Sequence, residues 1–319
     1  MDLDLLNITK DFICFENDNL YAVRKDQIEK QTIYLDCYKN NLETLPELPD
    51  RLVYLDCSDN ILKTLPELPD RLVYLDCSGI YNNLKTLPDL PDTLIKLDCY
   101  FNNLKELPEL PKSLLELNCS NNKLKFLPKL PENLKILKCS VNGNELETLP
   151  DLPDKLVNLD CSSNNLKSLP DLPDNLLDLN CDDNKLETLP ELPKKIKALD
   201  CCHNNFKSLP NLPDSLEYLT CSGNKLKTLT DLSDSLEYLS CSYNRLETLP
   251  DLPDCLGFLE CSYNRLETLP ELPNLKYLDC SYNELETLPE LPENLEELFC
   301  SNNEFETWPV IPLFRKSNQ

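Results

Sequence analysis

The sequence predicts a solenoid built from one short strand per turn, and three observations carry that expectation. A twenty-residue unit, RLVYLDCSDNILKTLPELPD at residues 51–70, returns with small edits from residue 32 to residue 312. Fourteen of the seventeen cysteines fall in one column of that unit, from Cys37 to Cys300. All 26 prolines fall in two others, three residues apart. A fixed period over most of a chain is the mark of a quasi-linear repeat body, in which each unit packs on its two neighbours. Counting from Leu52 as position 1, Cys57 is position 6, Asn60 position 9, Leu62 position 11, and Leu65 and Leu68 positions 14 and 17.

Each column has its own requirement. Leucine at positions 1 and 4 followed by cysteine at 6 predicts a strand over positions 3 to 5, with 4 and 6 facing inward and 3 and 5 outward. A small apolar side chain fits a packed ladder, so the cysteine column is expected to be buried thiol in a reducing, cytoplasmic compartment, with no disulfides. Asparagine stands at position 9 in every unit, where two donors and an acceptor can satisfy backbone groups as the chain leaves the strand. The proline pair favours an extended return with three residues per turn, so leucines 14 and 17 share a buried face while positions 16 and 19, mostly Asp or Glu, form a solvated one.

The boundaries follow from where the pattern holds. Residues 1–31 lack the repeat and are expected to form an N-terminal cap with two short strands, Phe12–Phe15 and Leu20–Val23. Residues 32–312 form the solenoid of about fourteen repeats, and 313–319 a tail, with Trp308, Val310, Ile311 and Phe314 as apolar cover for the last turn. Two-residue insertions lie near Gly79–Asn82 and Asn142–Asn144, a deletion at Pro273–Asn274, and residues 229–233 lack both prolines. The opening MDLDLLNITKDF is acidic and has no apolar core, which argues against a secretory signal. No stretch approaches the ~18 apolar residues of a membrane span. A formal charge of −25 argues against nucleic-acid or anionic-membrane partners and favours basic ones.

The run LDCSDNILKTLPELPD resembles the leucine-rich repeat, and its LPxLP form is similar to the twenty-residue repeats of bacterial effector proteins. A Cys-, Asn- and Lys-rich version is also similar to repeat proteins of giant DNA viruses of amoebae. The resemblance spans nearly the whole repeat region. It implies a curved solenoid with a parallel β-sheet on the concave face and extended polyproline-II-like segments on the convex face. It also implies a protein-binding role, in a host cytoplasm if the protein is viral or an effector. Cysteine at position 6 departs from the small aliphatic residue of the effector group. Some bacterial relatives append a ubiquitin-ligase domain, an activity not expected from a sequence ending at Gln319.

Columns that vary on a constant scaffold are where specificity is expected. Positions 3, 5, 7 and 8 are the variable ones, and they make two aromatic and acidic patches. The first contains Tyr34, Asp36, Tyr54, Asp56, Tyr74 and Asp76, and the second Tyr218, Tyr238, Tyr243, Phe258, Glu260, Tyr263, Tyr277, Asp279 and Tyr282. Rings that bury area and stack on cations, beside carboxylates, suit a protein partner bearing Lys or Arg. Strand preference for aromatics, or copying of a YLDCS unit by duplication, explains the same columns without binding. The expected function is therefore a non-enzymatic, monomeric interaction module without cofactors. A structural component of a large assembly or virion is the alternative. A third reading is a metal- or thiol-dependent enzyme at Asp182, Asp183, Asp200, Cys202 and His203, the one cluster that joins thiol, imidazole and carboxylate donors. Against it stand four glycines, a single histidine and the lack of any phosphate-binding loop or paired-cysteine zinc motif.

Overall fold

The computed structural model describes residues 12–14, 33–140 and 144–305. The chain divides into two compact units, residues 1–156 and 157–319. Most of the expected N-terminal cap, the apolar residues from Trp308 to Phe314 and the tail at 313–319 lie outside the described residues.

Every repeat contributes a three-residue strand at positions 3 to 5, where the leucine-cysteine spacing puts it. The first unit holds β1 (Phe12–Cys14), which precedes the repeats, then β2 (Tyr34–Asp36), β3 (Tyr54–Asp56), β4 (Tyr74–Asp76), β5 (Lys96–Asp98), β6 (Glu116–Asn118) and β7 (Ile136–Lys138). The second holds β8 (Asn158–Asp160), β9 (Asp178–Asn180), β10 (Ala198–Asp200), β11 (Tyr218–Thr220), β12 (Tyr238–Ser240), β13 (Phe258–Glu260), β14 (Tyr277–Asp279) and β15 (Glu297–Phe299). Within each unit the strands pair in parallel and in chain order, with like positions opposite one another, as in Tyr54↔Tyr74 and Phe258↔Tyr277. Phe12–Cys14 joins this ladder in the same register, parallel to Tyr34–Asp36. No described residue is helical, and each unit is a parallel β-solenoid.

The core is a stack of identical layers. Leucines at positions 1, 4 and 11 and the cysteine at 6 are buried almost throughout, as Leu52, Leu55, Cys57 and Leu62 show at 0% exposure. Phe206 replaces leucine at position 11 and is equally enclosed. The column thiols are free, and several point at the position-5 carbonyl of the next turn, as from Cys57 Sγ to Asp76 O at 3.4 Å. Burial drives their pKa values upward, which keeps them protonated and chemically quiet. The return leucines match expectation only in part. Leu107, Leu110, Leu127 and Leu130 are buried, whereas Leu65 and Leu68 are half-exposed, because the return runs along the surface of each turn.

The asparagine ladder holds the turns. Asn122 Nδ2 donates to Cys99 O, Cys119 O and Ser120 O at 2.9, 3.1 and 3.2 Å, and its Oδ1 accepts from Leu104 N at 3.0 Å. One side chain thus satisfies four backbone groups spread over two turns, groups that would cost about 1–3 kcal/mol each if left buried and unpaired. The insertion after Ser78 leaves this bond set in place. Asn82, five residues after Cys77, takes the ladder position and receives Leu62 N at 2.9 Å, while Ile80 and Tyr81 bulge into solvent. At the return without prolines, Ser233 Oγ donates to Asp214 O at 2.8 Å, while the buried Thr230 Oγ1 has no partner.

Candidate functional site

The outward positions of the strands carry the aromatic columns, and the rings stack along them. In the first unit Tyr34, Tyr54 and Tyr74 form a ladder with centroids 4.0 and 4.2 Å apart and planes within 8°. Parallel in-register strands impose this, since like positions recur about 4.8 Å apart. The last ring is capped: Lys96 Nζ lies 5.5 Å from the Tyr74 centroid and also pairs with Glu116 at 3.2 Å. Tyr34 is only 8% exposed.

The second unit has two ladders. At position 3, Tyr238, Phe258 and Tyr277 stack at 4.3 and 4.2 Å, flanked by the tilted Tyr218, 6.5 Å from Tyr238. At position 8, Tyr243, Tyr263 and Tyr282 stack at 4.2 and 4.1 Å, with 57%, 38% and 43% of each residue exposed. Carboxylates and hydroxyls lie between the two columns. Glu260 accepts a 2.8 Å bond from Ser240 Oγ, and Asp279 Oδ1 accepts from Ser281 N and Oγ. The Tyr238 and Tyr277 phenols are raised by burial and then by the Glu260 charge, so both remain neutral donors.

Three expectations about these columns need correcting, and one feature is added. Rings inside a ladder have both faces covered by other rings, so a cation can stack only on an end face; edges and hydroxyls are what the middle rings present. Position 7 is not uniformly exposed: Ser58, Ser242, Ser262 and Ser281 are buried, whereas Tyr38 and Tyr100 are 49% and 36% exposed. Position 5 is largely structural. Asp56 Oδ1 accepts from Ser58 N and Ser58 Oγ, Asp76 repeats this with Ser78, and Asp36 and Asp98 accept from Tyr38 N and Tyr100 N. An Asp or Asn that caps its own turn two residues on is a common turn device, and the recurring Asp-Cys-Ser was its signal in the sequence. Finally, position 8 takes left-handed backbone in most repeats, from His203 at φ 46° to Asn302 at 57°. Glycine is favoured there and large side chains are disfavoured. Gly223, together with Asp59, Asn121, Asp183 and Asn302 at the same position, was the signal in the sequence.

The central cluster comes together incompletely. Ligand atoms of Asp182, Asp200 and Cys202 lie within 4.8 Å of one another, without Asp183 or His203. His203 turns instead toward Gly223, where a Cβ would stand 2.6 Å from its Nδ1. Cys202 Sγ accepts from Ser222 N at 3.2 Å, and its pKa is pushed up to about 12 by burial and then by Asp200. That is the reverse of an activated nucleophile. Cys255 is exposed, and its Sγ donates to Asp234 O and Leu236 O at 3.1 and 3.2 Å. Ser215 makes the equivalent bonds one repeat pair earlier, to Lys194 O and Ile196 O.

The leucine-rich repeat family model matches residues 235–259 and 274–295. YopM from Yersinia enterocolitica is 37% identical over 89% of this chain and 72% of its own, with a TM-score of 0.77. The chain belongs to the leucine-rich repeat family. YopM of Yersinia pestis, a leucine-rich effector protein, is 38% identical over 89% of this chain and 87% of its own, at a TM-score of 0.76. The functional domain of InlJ from Listeria monocytogenes, which includes a cysteine ladder, shares the fold at 24% identity over 88% of this chain and 65% of that one, at a TM-score of 0.58. No curated protein matches by sequence. No helix among the described residues is long and apolar enough to cross a membrane.

Proposed function

We propose that this leucine-rich repeat protein is a non-enzymatic binding module that takes a protein partner bearing basic residues on the sheet face of its second unit. The observation that carries the reading is the pair of ladders, Tyr238–Phe258–Tyr277 and Tyr243–Tyr263–Tyr282, with Glu260 and Asp279 between them. Exposed aromatic area supplies contact energy at low entropic cost, and carboxylates among the rings select cationic side chains. The formal charge of −25 steers such a partner toward the surface. The likeness to a Yersinia effector supports an effector role in a host cytoplasm. Buried thiols throughout the core suit a reducing compartment.

Replacing Tyr238, Tyr243, Tyr263 and Tyr277 together by serine tests the reading. Affinity capture from host cytosol should lose its stable partner while the circular dichroism spectrum stays that of the wild type. Undiminished capture by the folded variant overturns the assignment of this face.

A further inference from the structure

Where position 5 is aspartate and position 7 serine, the pair closes on itself, the hydroxyl donating to the carboxylate, as in Asp56–Ser58, Asp76–Ser78, Asp160–Ser162 and Asp279–Ser281. Two consecutive turns depart from this. Position 7 is Asp182 after β9 and Cys202 after β10, the only acid and the only thiol in that column. Asp200, at position 5 of the second turn, keeps the backbone bond from Cys202 N at 3.1 Å, but no serine follows it. Oxygens of Asp182 and Asp200 and the sulfur of Cys202 lie within 4.8 Å of one another, and no lysine or arginine among the described residues pairs with either acid. Two further observations mark the place. Ladder thiols such as Cys57 donate to a carbonyl, whereas Cys202 Sγ accepts, from Ser222 N at 3.2 Å. Three enclosed side-chain oxygens among the described residues lack a hydrogen-bond partner, and two of them are here: Asp182 Oδ1, and Thr220 Oγ1 opposite Asp200 in the strand register. A buried oxygen without a partner is rare in a folded protein, and a bound ion is one reason it is tolerated.

We propose that Asp182, Asp200 and Cys202 bind one divalent cation of the zinc type, which ties the turns after β9 and β10 together. One thiolate and two carboxylates give the three protein ligands of such a site, with solvent in the fourth position. The sulfur selects against calcium and magnesium, which take oxygen ligands. Around a tetrahedral zinc the donors stand about 3.4–3.6 Å apart, given bonds of about 2.3 Å to sulfur and about 2.1 Å to oxygen. Separations of up to 4.8 Å close to that by about 1 Å of movement, which torsions of the half-buried aspartates supply. Asp200 Oδ1 is held by Cys202 N, so Oδ2 is the oxygen left for the cation. Binding releases the Cys202 proton to solvent, and the Ser222 N–H already aimed at the sulfur supports the resulting thiolate. Thr220, close enough to act on the Cys202 thiol, finds in the bound solvent the partner its hydroxyl lacks. His203, turned over Gly223, stays outside the set.

The probe is cobalt(II), which takes the place of zinc and absorbs visibly, titrated into the reduced full chain. One equivalent should give a sulfur-to-cobalt charge-transfer band with the d–d bands of a tetrahedral site, and one equivalent of zinc should bleach both. Cys202→Ser should remove the charge-transfer band, whereas Cys255→Ser, at the exposed thiol, should leave it intact. Asp182→Ser should weaken cobalt binding at least about tenfold. Both position-7 variants restore a residue that neighbouring turns hold there, at Ser162 and Ser222, so the circular dichroism spectrum should stay that of the wild type. Zinc should also raise the thermal midpoint of the wild type and not that of Cys202→Ser. A wild type without the cobalt–sulfur band, a band that survives Cys202→Ser or vanishes with Cys255→Ser, or undiminished affinity in Asp182→Ser overturns the inference.

Discussion

The two units carry the same scaffold and leave their aromatic ladders in opposite states. In the first, Tyr34–Tyr54–Tyr74 is tucked close to the strands, capped by Lys96 and flanked by aspartates that are occupied with their own turns. In the second, two ladders stand side by side, one of them on strained backbone with its rings 38–57% exposed. A stacked column that is buried at one end and capped by a cation at the other is a structural device. One whose rings stand so exposed presents edges and hydroxyls to solvent, and these are what a partner can use. The difference argues that the aromatic residues of the first unit serve stability and those of the second serve recognition.

The largest effect should be blind to that difference, because it acts on the shared scaffold. Asn122→Ala in the first unit and Asn264→Ala in the second each strip four backbone partners, since Asn264 bonds Cys241 O, Cys261 O, Ser262 O and Leu246 N. Each should cost at least about 3 kcal/mol in urea unfolding followed by circular dichroism. A large disparity between the two would break the claim of one scaffold.

A smaller effect should separate the units. Tyr54 has a ring on each side, so Tyr54→Ser should destabilise the protein by about 1–3 kcal/mol. Tyr263→Ser also loses two neighbours, but it relieves a bulky side chain from left-handed backbone, a position that serine already holds at Ser163. It should shift the unfolding midpoint far less and weaken partner capture instead. Equal stability losses and intact capture would put the two ladders in the same class.

The mildest test is by pH. Burial, against the lowering pull of the Ser58 hydrogen bonds and with smaller help from the Asp76 and Asp36 charges, raises the Asp56 carboxyl to about 6, and Asp76 and Asp98 are raised on adjoining strands. A group whose pKa is higher folded than unfolded contributes stability that is present below the unfolded value, near 4, and is lost as pH rises through the folded one. The thermal midpoint should therefore fall as pH goes from 5 to 7 through the Asp56 transition near 6. Asp56→Asn should flatten that fall, because asparagine already caps the same turn at Asn118 and Asn180. An unchanged slope would remove Asp56 as its source.

The fold was legible because each scaffold column has one physical requirement that one residue type meets. Leucine, cysteine, asparagine and proline recur every twenty residues, and the strand bounds, the buried thiols and the asparagine bonds to backbone follow from period and chemistry alone. The site was legible only as a set of columns. Asp-Cys-Ser looked like surface chemistry until Asp56 and Ser58 were seen bonded to each other, and His203 looked like a partner for Cys202 until its ring was found over Gly223.

By itself, then, the sequence determined the repeat, the core and the places where variation is allowed, since those depend on spacing and side-chain type. Whether a tyrosine column is buried or exposed, and whether an aspartate oxygen is spent on its own turn, only the tertiary structure decided. Those properties depend on what stands on the next turn, about 4.8 Å away in space but twenty residues away along the chain.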